Sequence, residues 1–324
     1  MSIKVLVADE LSPQGIETLR RASGLTVDVR TGLKPADLKA LLADYQALAI
    51  RSATRVTADI LEGARSLRVI GRAGVGVDNI DVEAATRKHI VVMNTPGGNS
   101  MAVAELTMAM LLALPRQLVQ AVSSTKSGKW EKKRFAAGHE LFQRTVGILG
   151  LGNIGSLVAQ RCLAFGTRVL VYDPHPSEAA RKLGLSVHFV SLEELVQRSD
   201  YLTIHVPLTE STRNLIGPEV FAQMKKGTYL VNCARGGIVD EAALAAALQD
   251  GTLAGAAMDV FATEPVPGDH PLLKLDNFLP TPHLGASTEE GQLACANQLA
   301  EQLVEFLQRG VVRNAVNAVA QTRS

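Results

Sequence analysis

No charge of one sign dominates this sequence: 33 lysines and arginines stand against 32 aspartates and glutamates, a formal net charge of +1. Without a long-range field, the chain has nothing to draw it to nucleic acid or to a membrane surface, and its expected partner is a small molecule. Cysteine is equally sparse. Cys162, Cys233 and Cys295 are far apart, match neither a zinc nor a CxxC spacing, and leave one thiol over in any disulfide scheme. A structural metal is therefore not expected, and a reducing cytoplasm suits the chain best. Long apolar runs are missing as well: the stretch from Met101 to Leu114 is interrupted by Glu105 and is too short to cross about 30 Å of hydrocarbon. The first residues lack the basic start, apolar run and cleavage site of a signal peptide, so none is expected.

What remains is a hydrophobic (47%) chain of 324 residues, too long for one ordinary core, so two domains are expected. Short β-branched runs alternate with helical periods from Lys4 to Asn94, predicting strands over 4–8, 26–30, 47–50, 69–71 and 91–94, and the turn signal Thr95-Pro96-Gly97-Gly98-Asn99 closes the series. Residues 99 to about 128 predict one long amphipathic helix, whose small residues Ser100, Ala104 and Ala109 suit a domain or dimer junction. A second strand series follows at 145–149, 168–172, 186–189, 201–205, 229–233, 255–260 and 278–280, then another long helix from Thr288 to Gln308. The predicted fold class is α/β, with two doubly wound parallel-sheet domains. The tail after Gly310 is too short for a further domain and is expected to fold back. Residues 1–98 and 287–324 would then form a discontinuous substrate-binding domain around a dinucleotide-binding domain of residues 99–286, with a ligand cleft at the two crossings.

The second series opens with Thr145-Val-Gly-Ile-Leu-Gly150-Leu-Gly152-Asn153-Ile154-Gly155, a strand running through glycines into a helix. Glycine there permits a tight turn and close backbone approach, and the helix N-terminus offers free amides to a pyrophosphate. The next strand ends in Asp173, about twenty residues on, where a carboxylate can accept both adenosine ribose hydroxyls. That carboxylate would repel a 2′-phosphate, favouring NAD, although His175 and Arg181 lie downstream and leave a route to NADP. Three further polar residues fall at predicted strand ends: Arg235, Glu264 and His283. Taken singly, His283 reads equally well as a capping or core histidine, and Glu264 and Arg235 read sooner as solvated surface charges than as site residues. Together they match the oxidation of a secondary alcohol: a histidine takes the hydroxyl proton, a carboxylate orients the ring, and a guanidinium fork holds the substrate carboxylate.

With Gly150 to Gly155, Asp173, Arg235-Gly-Gly-Ile-Val-Asp240, Asp259 to Pro265 and Pro282-His-Leu-Gly-Ala286 in place, the sequence resembles the D-2-hydroxyacid dehydrogenase family over nearly its whole length. Arg51 to Asp59, Gly71 to Asn79, Met93 to Pro96, Gly128 to Glu131 and Asn232 to Asp240 resemble, more narrowly, its phosphoglycerate-oxidising branch. The resemblance implies a Rossmann domain for NAD inserted in a flavodoxin-like substrate domain, with oxidation of 3-phospho-D-glycerate to 3-phosphohydroxypyruvate, the first step of phosphorylated serine synthesis. It implies Arg235, Glu264 and His283 as the catalytic set. For the cofactor it implies Val75, Cys233 to Arg235, Asp259 on the carboxamide, His283, Gly285 and Ala286, with Val206 and Pro207 beneath the adenine. For the substrate it implies Arg51, Arg72 and the amides of Ala73, Gly74 and Val75, together with Arg235, His283 and Lys132 from a neighbouring subunit of a dimer or higher homo-oligomer. Val75 and Val206 replace a frequent threonine and Lys132 a frequent arginine, each removing a hydrogen bond or bidentate contact. The chain also ends before the regulatory domains that long forms of the family append, so feedback inhibition by serine is not expected. A glyoxylate or hydroxypyruvate reductase would share the catalytic set, and a non-enzymatic NAD-sensing corepressor could retain the same fold.

Overall fold

The computed structural model describes residues 2–175, 184 and 186–319 and divides into two compact units, Met1–Asn99 with Ala286–Ser324, and Ser100–Gly285. Arg181, one of the residues that left NADP open, lies outside the described residues.

In the first unit, strands β1 (Ile3–Val7), β2 (Leu25–Val29), β3 (Ala47–Ile50), β4 (Val69–Arg72) and β5 (Val91–Met93) form a parallel sheet in the order β2-β1-β3-β4-β5. That is the flavodoxin-like order. Alternate residues serve opposite faces. Leu6, Leu48, Ile70 and Val92 pack on one side, while Val5, Ala49, Val69 and Met93 meet Cys295, Leu299, Leu303 and Phe306 of the long helix Glu289–Arg309 on the other. Burial on both faces is why these strands read as unbroken apolar runs. The tail returns to the β5 edge: the Val316 amide donates to the Val92 carbonyl at 2.8 Å, and the Asn317 side chain accepts from the Val92 amide at 2.8 Å. An edge that would otherwise present unpaired groups is thereby covered.

The second unit carries β6 (Thr145–Leu149), β7 (Arg168–Tyr172), β8 (Val187–Phe189), β9 (Tyr201–Ile204), β10 (Thr228–Asn232), β11 (Leu253–Met258) and β12 (Phe278–Pro280), in the order β12-β11-β10-β9-β6-β7-β8. Every pairing is parallel. The order reverses between β6 and β9, and in such a sheet ligands bind outside the carboxyl ends of the strands at that point. The expected single helix over 99–128 is instead two, Ser100–Ala113 and Leu118–Lys126, bent by 70°. Pro115 explains the break, since it has no N–H to donate and its ring crowds the preceding turn. Nor is the first piece amphipathic in the expected way: Val103, Ala104, Thr107, Met108, Met110 and Leu111 are all buried. Among the described residues no single helix is long and apolar enough to cross a membrane.

Candidate active site

The glycine loop is built by close contact. Gly150 has φ +95°, a conformation L side chains avoid, and a Cβ there would stand 2.7 Å from Val206 Cγ1 and 2.8 Å from the His205 carbonyl oxygen. A Cβ on Gly155 would overlap the Gly150 carbonyl oxygen, so the turn and the helix Asn153–Ala164 seat directly on each other. Gly152 differs: a Cβ there meets nothing within 4 Å, and no side chain caps the helix. Open space over uncapped helix amides is what a pyrophosphate needs, so these residues fit a dinucleotide. Asp173, just past β7, accepts from the Leu151 amide at 2.7 Å and from the His175 amide at 2.8 Å. Each oxygen retains a lone pair for a ribose hydroxyl.

One residue of this loop region escapes the sequence reading. His205, just past β9, bonds Thr203 Oγ1 through Nε2 at 3.0 Å, while its Nδ1 is buried with no partner. Burial penalises the imidazolium and lowers the ring's pKa to about 3, so it supports the loop as a neutral group.

At the ends of β10, β11 and β12 the polar residues hold one another. His283 Nδ1 lies 2.7 Å from Glu264 Oε2, and Glu264 Oε1 accepts from the Phe261 amide at 2.9 Å. With Nδ1 directed at a carboxylate, the ring proton sits there and Nε2 is left as a lone-pair base. His283 adopts φ +55°, a strained conformation for a non-glycine residue that must be held by its surroundings. Asp259, only 1% exposed, does the holding: it accepts from Thr281 Oγ1 at 2.5 Å, the Leu284 amide at 2.7 Å and the Gly285 amide at 2.7 Å, bracketing the histidine on both sides. Asp259, expected to hold the nicotinamide carboxamide, is thus also a brace of the histidine loop. On the neighbouring strand, fully buried Asn232 accepts from the Ala234 amide at 3.0 Å and donates to the Arg235 carbonyl at 2.9 Å, fixing the turn that presents Arg235. Thr281 does not stand out in the sequence, and Asn232 stands out only as the first residue of a resembling motif, because the signal of each lies in its partner. Cys233 is buried beside Met110 and burial pushes its thiol up to about 12, so it packs in the core and is not a nucleophile.

Of the residues expected to meet substrate, Arg51, Arg72 and Ala73 to Val75 belong to the first unit. Arg51 follows β3, with its amide donating to Asp9 at 2.6 Å, and its guanidinium reaches the Glu10 carbonyl and Gln292 at 3.3 Å each. Asp9, 4% exposed, also takes both the amide (3.1 Å) and hydroxyl (2.6 Å) of Thr54, so one carboxylate shapes the whole 51–54 turn. Its place just after the first strand was the available signal. Arg72 closes β4 with its guanidinium over Gly74, where a Cβ would collide with it, and Gly74 has φ +147°. The expectation that the amides of Ala73 to Val75 all face substrate needs correction. The Ala73 amide donates to the Ile50 carbonyl at 2.8 Å and the Gly74 amide to Thr95 Oγ1 at 2.7 Å; among the described residues only the Val75 amide of the three makes no bond. Lys132 is exposed in the loop after Trp130, Pro207 follows Val206 beyond β9, and Ala286 begins the returning segment of the first unit.

Residues 108–285 match the family described as D-isomer specific 2-hydroxyacid dehydrogenase, NAD binding domain. The chain belongs to that family. It carries the family's NAD-binding domain as its second unit. Among curated proteins it is 49% identical to the D-3-phosphoglycerate dehydrogenases of Methanocaldococcus jannaschii and Homo sapiens, over 97% and 98% of its own length and 59% of theirs. It thus spans about three-fifths of those relatives. Among solved structures it resembles the TT0316 protein of Thermus thermophilus (37% identity, TM-score 0.87, 97% of this chain and 100% of that one). It also resembles an NAD-dependent formate dehydrogenase of Staphylococcus aureus in complex with NAD (32%, TM-score 0.85, 99% and 100%).

Proposed function

We propose that the chain oxidises 3-phospho-D-glycerate to 3-phosphohydroxypyruvate with NAD, the opening step of phosphorylated serine synthesis. The observation that carries the chemistry is the 2.7 Å His283–Glu264 pair at the carboxyl edge of the dinucleotide-type sheet. His283 Nε2 takes the hydroxyl proton of the substrate, and Glu264 stabilises the imidazolium that forms. NAD, when bound, would supply the hydride acceptor. Arg235 pairs with the substrate carboxylate and polarises the developing carbonyl oxygen. Gly150 to Gly155 and Asp173 hold the pyrophosphate and ribose of the cofactor, and Val75, Val206, Pro207, Cys233, Ala234, Gly285 and Ala286 line the rest of its site.

The phosphate end of the substrate falls to Arg51, Arg72 and the Val75 amide. The 49% identity to curated phosphoglycerate dehydrogenases supports this choice of acid over an unphosphorylated one. The same reading has the protein work in the cytoplasm as a homo-oligomer joined through the second unit, with Lys132 supplied to a neighbour. Exposed Leu118, Val119 and Val122 on one helix, with Trp130 and Phe142 nearby in sequence, are the apolar surface that such contact would cover. Initial rates of NADH formation test the reading. 3-Phospho-D-glycerate should be turned over well above D-glycerate and D-lactate; faster turnover of an unphosphorylated acid would put a glyoxylate or hydroxypyruvate reductase in its place.

A further inference from the structure

The second unit contains another histidine–glutamate pair besides that of the proposed site. His270 Nε2 lies 3.0 Å from Glu241 Oε2, and these side chains are more enclosed, 17% and 14% exposed, than His283 and Glu264 at 49% and 37%. His270 Nδ1 accepts from the Leu272 amide at 3.4 Å, which places the ring proton on Nε2, facing Glu241. The other oxygen of Glu241 accepts from the Ala262 amide at 2.6 Å. The adjacent Phe261 amide is the one that Glu264 takes at 2.9 Å. Two carboxylates therefore grip consecutive amides of one loop. Phe261 itself is 7% exposed, its ring is edge-on to His270 at 6.1 Å, and Gly236, next to Arg235, abuts its carbonyl so closely that a Cβ there would overlap it.

Capping does not account for Glu241. It begins the helix Glu241–Gln249, but that helix is already capped by Asp240, which accepts from the Ala242 and Ala243 amides at 3.0 Å each. The Glu241 carboxylate turns instead to the loop. Of the other charged groups on these elements, Asp259 binds Thr281, Leu284 and Gly285, the Arg235 guanidinium donates to the Ala234 carbonyl, and Asp269 and Lys274 are exposed.

We infer that Glu241, fixed by His270, is a positioning residue for the Glu264–His283 pair: it sets the Phe261–Ala262 peptide and through it the oxygen of Glu264 that faces His283. The inference rests on the proposed role of that pair. Loss of one loop hydrogen bond should cost about two- to tenfold in rate. In the NAD-bound protein, Glu241→Gln and His270→Gln should each lower kcat by that factor, leave the KM for NAD within about twofold, and move the acid limb of the oxidation profile to lower pH. Glu264→Gln should move the limb the same way, and adding Glu241→Gln to it should move it no further. Amide hydrogen exchange supplies a readout independent of turnover: Phe261, which Glu241 does not touch, should exchange faster in both single variants. Should either variant fail to fold, the other decides. If Glu264→Gln moves the limb while Glu241→Gln and His270→Gln do not, and Phe261 exchange stays as in the wild type, the inference is overturned and the mechanism stands. If Glu264→Gln leaves the limb in place, the mechanism falls, and Phe261 exchange alone still decides whether Glu241 sets the loop.

Discussion

The carboxyl edges of the two sheets use the same device to different ends. In the second unit, buried Asp259 and Asn232 fix the loop backbones, and the functional side chain is fixed too, since His283 is tied to Glu264 at 2.7 Å. In the first unit, Asp9 and Thr95 fix the 51–54 and 73–75 backbones just as firmly, but the Arg51 guanidinium makes only 3.3 Å contacts. A proton-transferring group must be aimed before substrate arrives, and misplacement by even an ångström is costly. A cation that meets a phosphate tolerates adjustment. On the proposed function, chemistry would belong to the preorganised edge and substrate discrimination to the adaptable one.

The hardest blow to that contrast would be a dispensable histidine. His283→Ala should lower kcat by about 10² or more while NAD still binds, because general acid/base groups supply that much. Near-normal turnover would empty the second edge of its chemistry. Asp173→Ala should weaken NAD by about tenfold and relax discrimination against NADP, since the ribose hydroxyls and the Leu151 amide share that acceptor. Titration calorimetry showing unchanged NAD affinity would mean another residue holds the ribose.

Acid should separate the units by stability. The described histidine of the first unit, His89, is exposed, whereas the second contains half-buried His205, whose ring nitrogen Nδ1 is buried and whose pKa is lowered to about 3. An unfolded imidazole titrates near 6.5, so below that pH the unfolded chain binds the proton that folded His205 refuses, and stability falls as pH drops from about 6.5 toward 3. At pH 5 the loss is about 2 kcal/mol, and it should fall on the second unit and shrink in His205→Asn. A pH-independent melting temperature for that unit between pH 7 and 5 would show the ring to be protonated freely. The smallest effect is a direction: Glu264→Gln should carry the acid limb of oxidation to lower pH, because an imidazolium at 2.7 Å loses its counter-charge. A limb that moves the other way would mean the carboxylate does not favour the charged ring.

Much of this was readable from residue order alone. Strand runs such as Thr145–Leu149 and Arg168–Tyr172 stand at the predicted positions, because strands buried on both faces are uninterrupted in sequence and bounded by turn residues. The glycine loop was legible because each of its constraints calls for glycine itself. The break at Pro115 was legible too, yet the apolar run on either side outweighs one residue when periodicity is read. Relations between distant residues were not legible. Asp9 with Arg51, Asp259 with Gly285 and Glu241 with Ala262 are each a carboxylate meeting a main-chain amide, and every residue but proline has that amide. For the same reason nothing in the sequence reveals that the Ala73 and Gly74 amides are already committed.

The central claim, chemistry on one edge and phosphate recognition on the other, is tested most directly by kcat/KM for wild type, Arg51→Ala and His283→Ala on 3-phospho-D-glycerate and on D-glycerate. Charge-assisted contacts to phosphate contribute about 1.5 to 3 kcal/mol, so Arg51→Ala should lose roughly ten- to a hundredfold on the phosphorylated acid and almost nothing on the other, while His283→Ala loses on both. Equal losses on the two acids in Arg51→Ala would contradict the account.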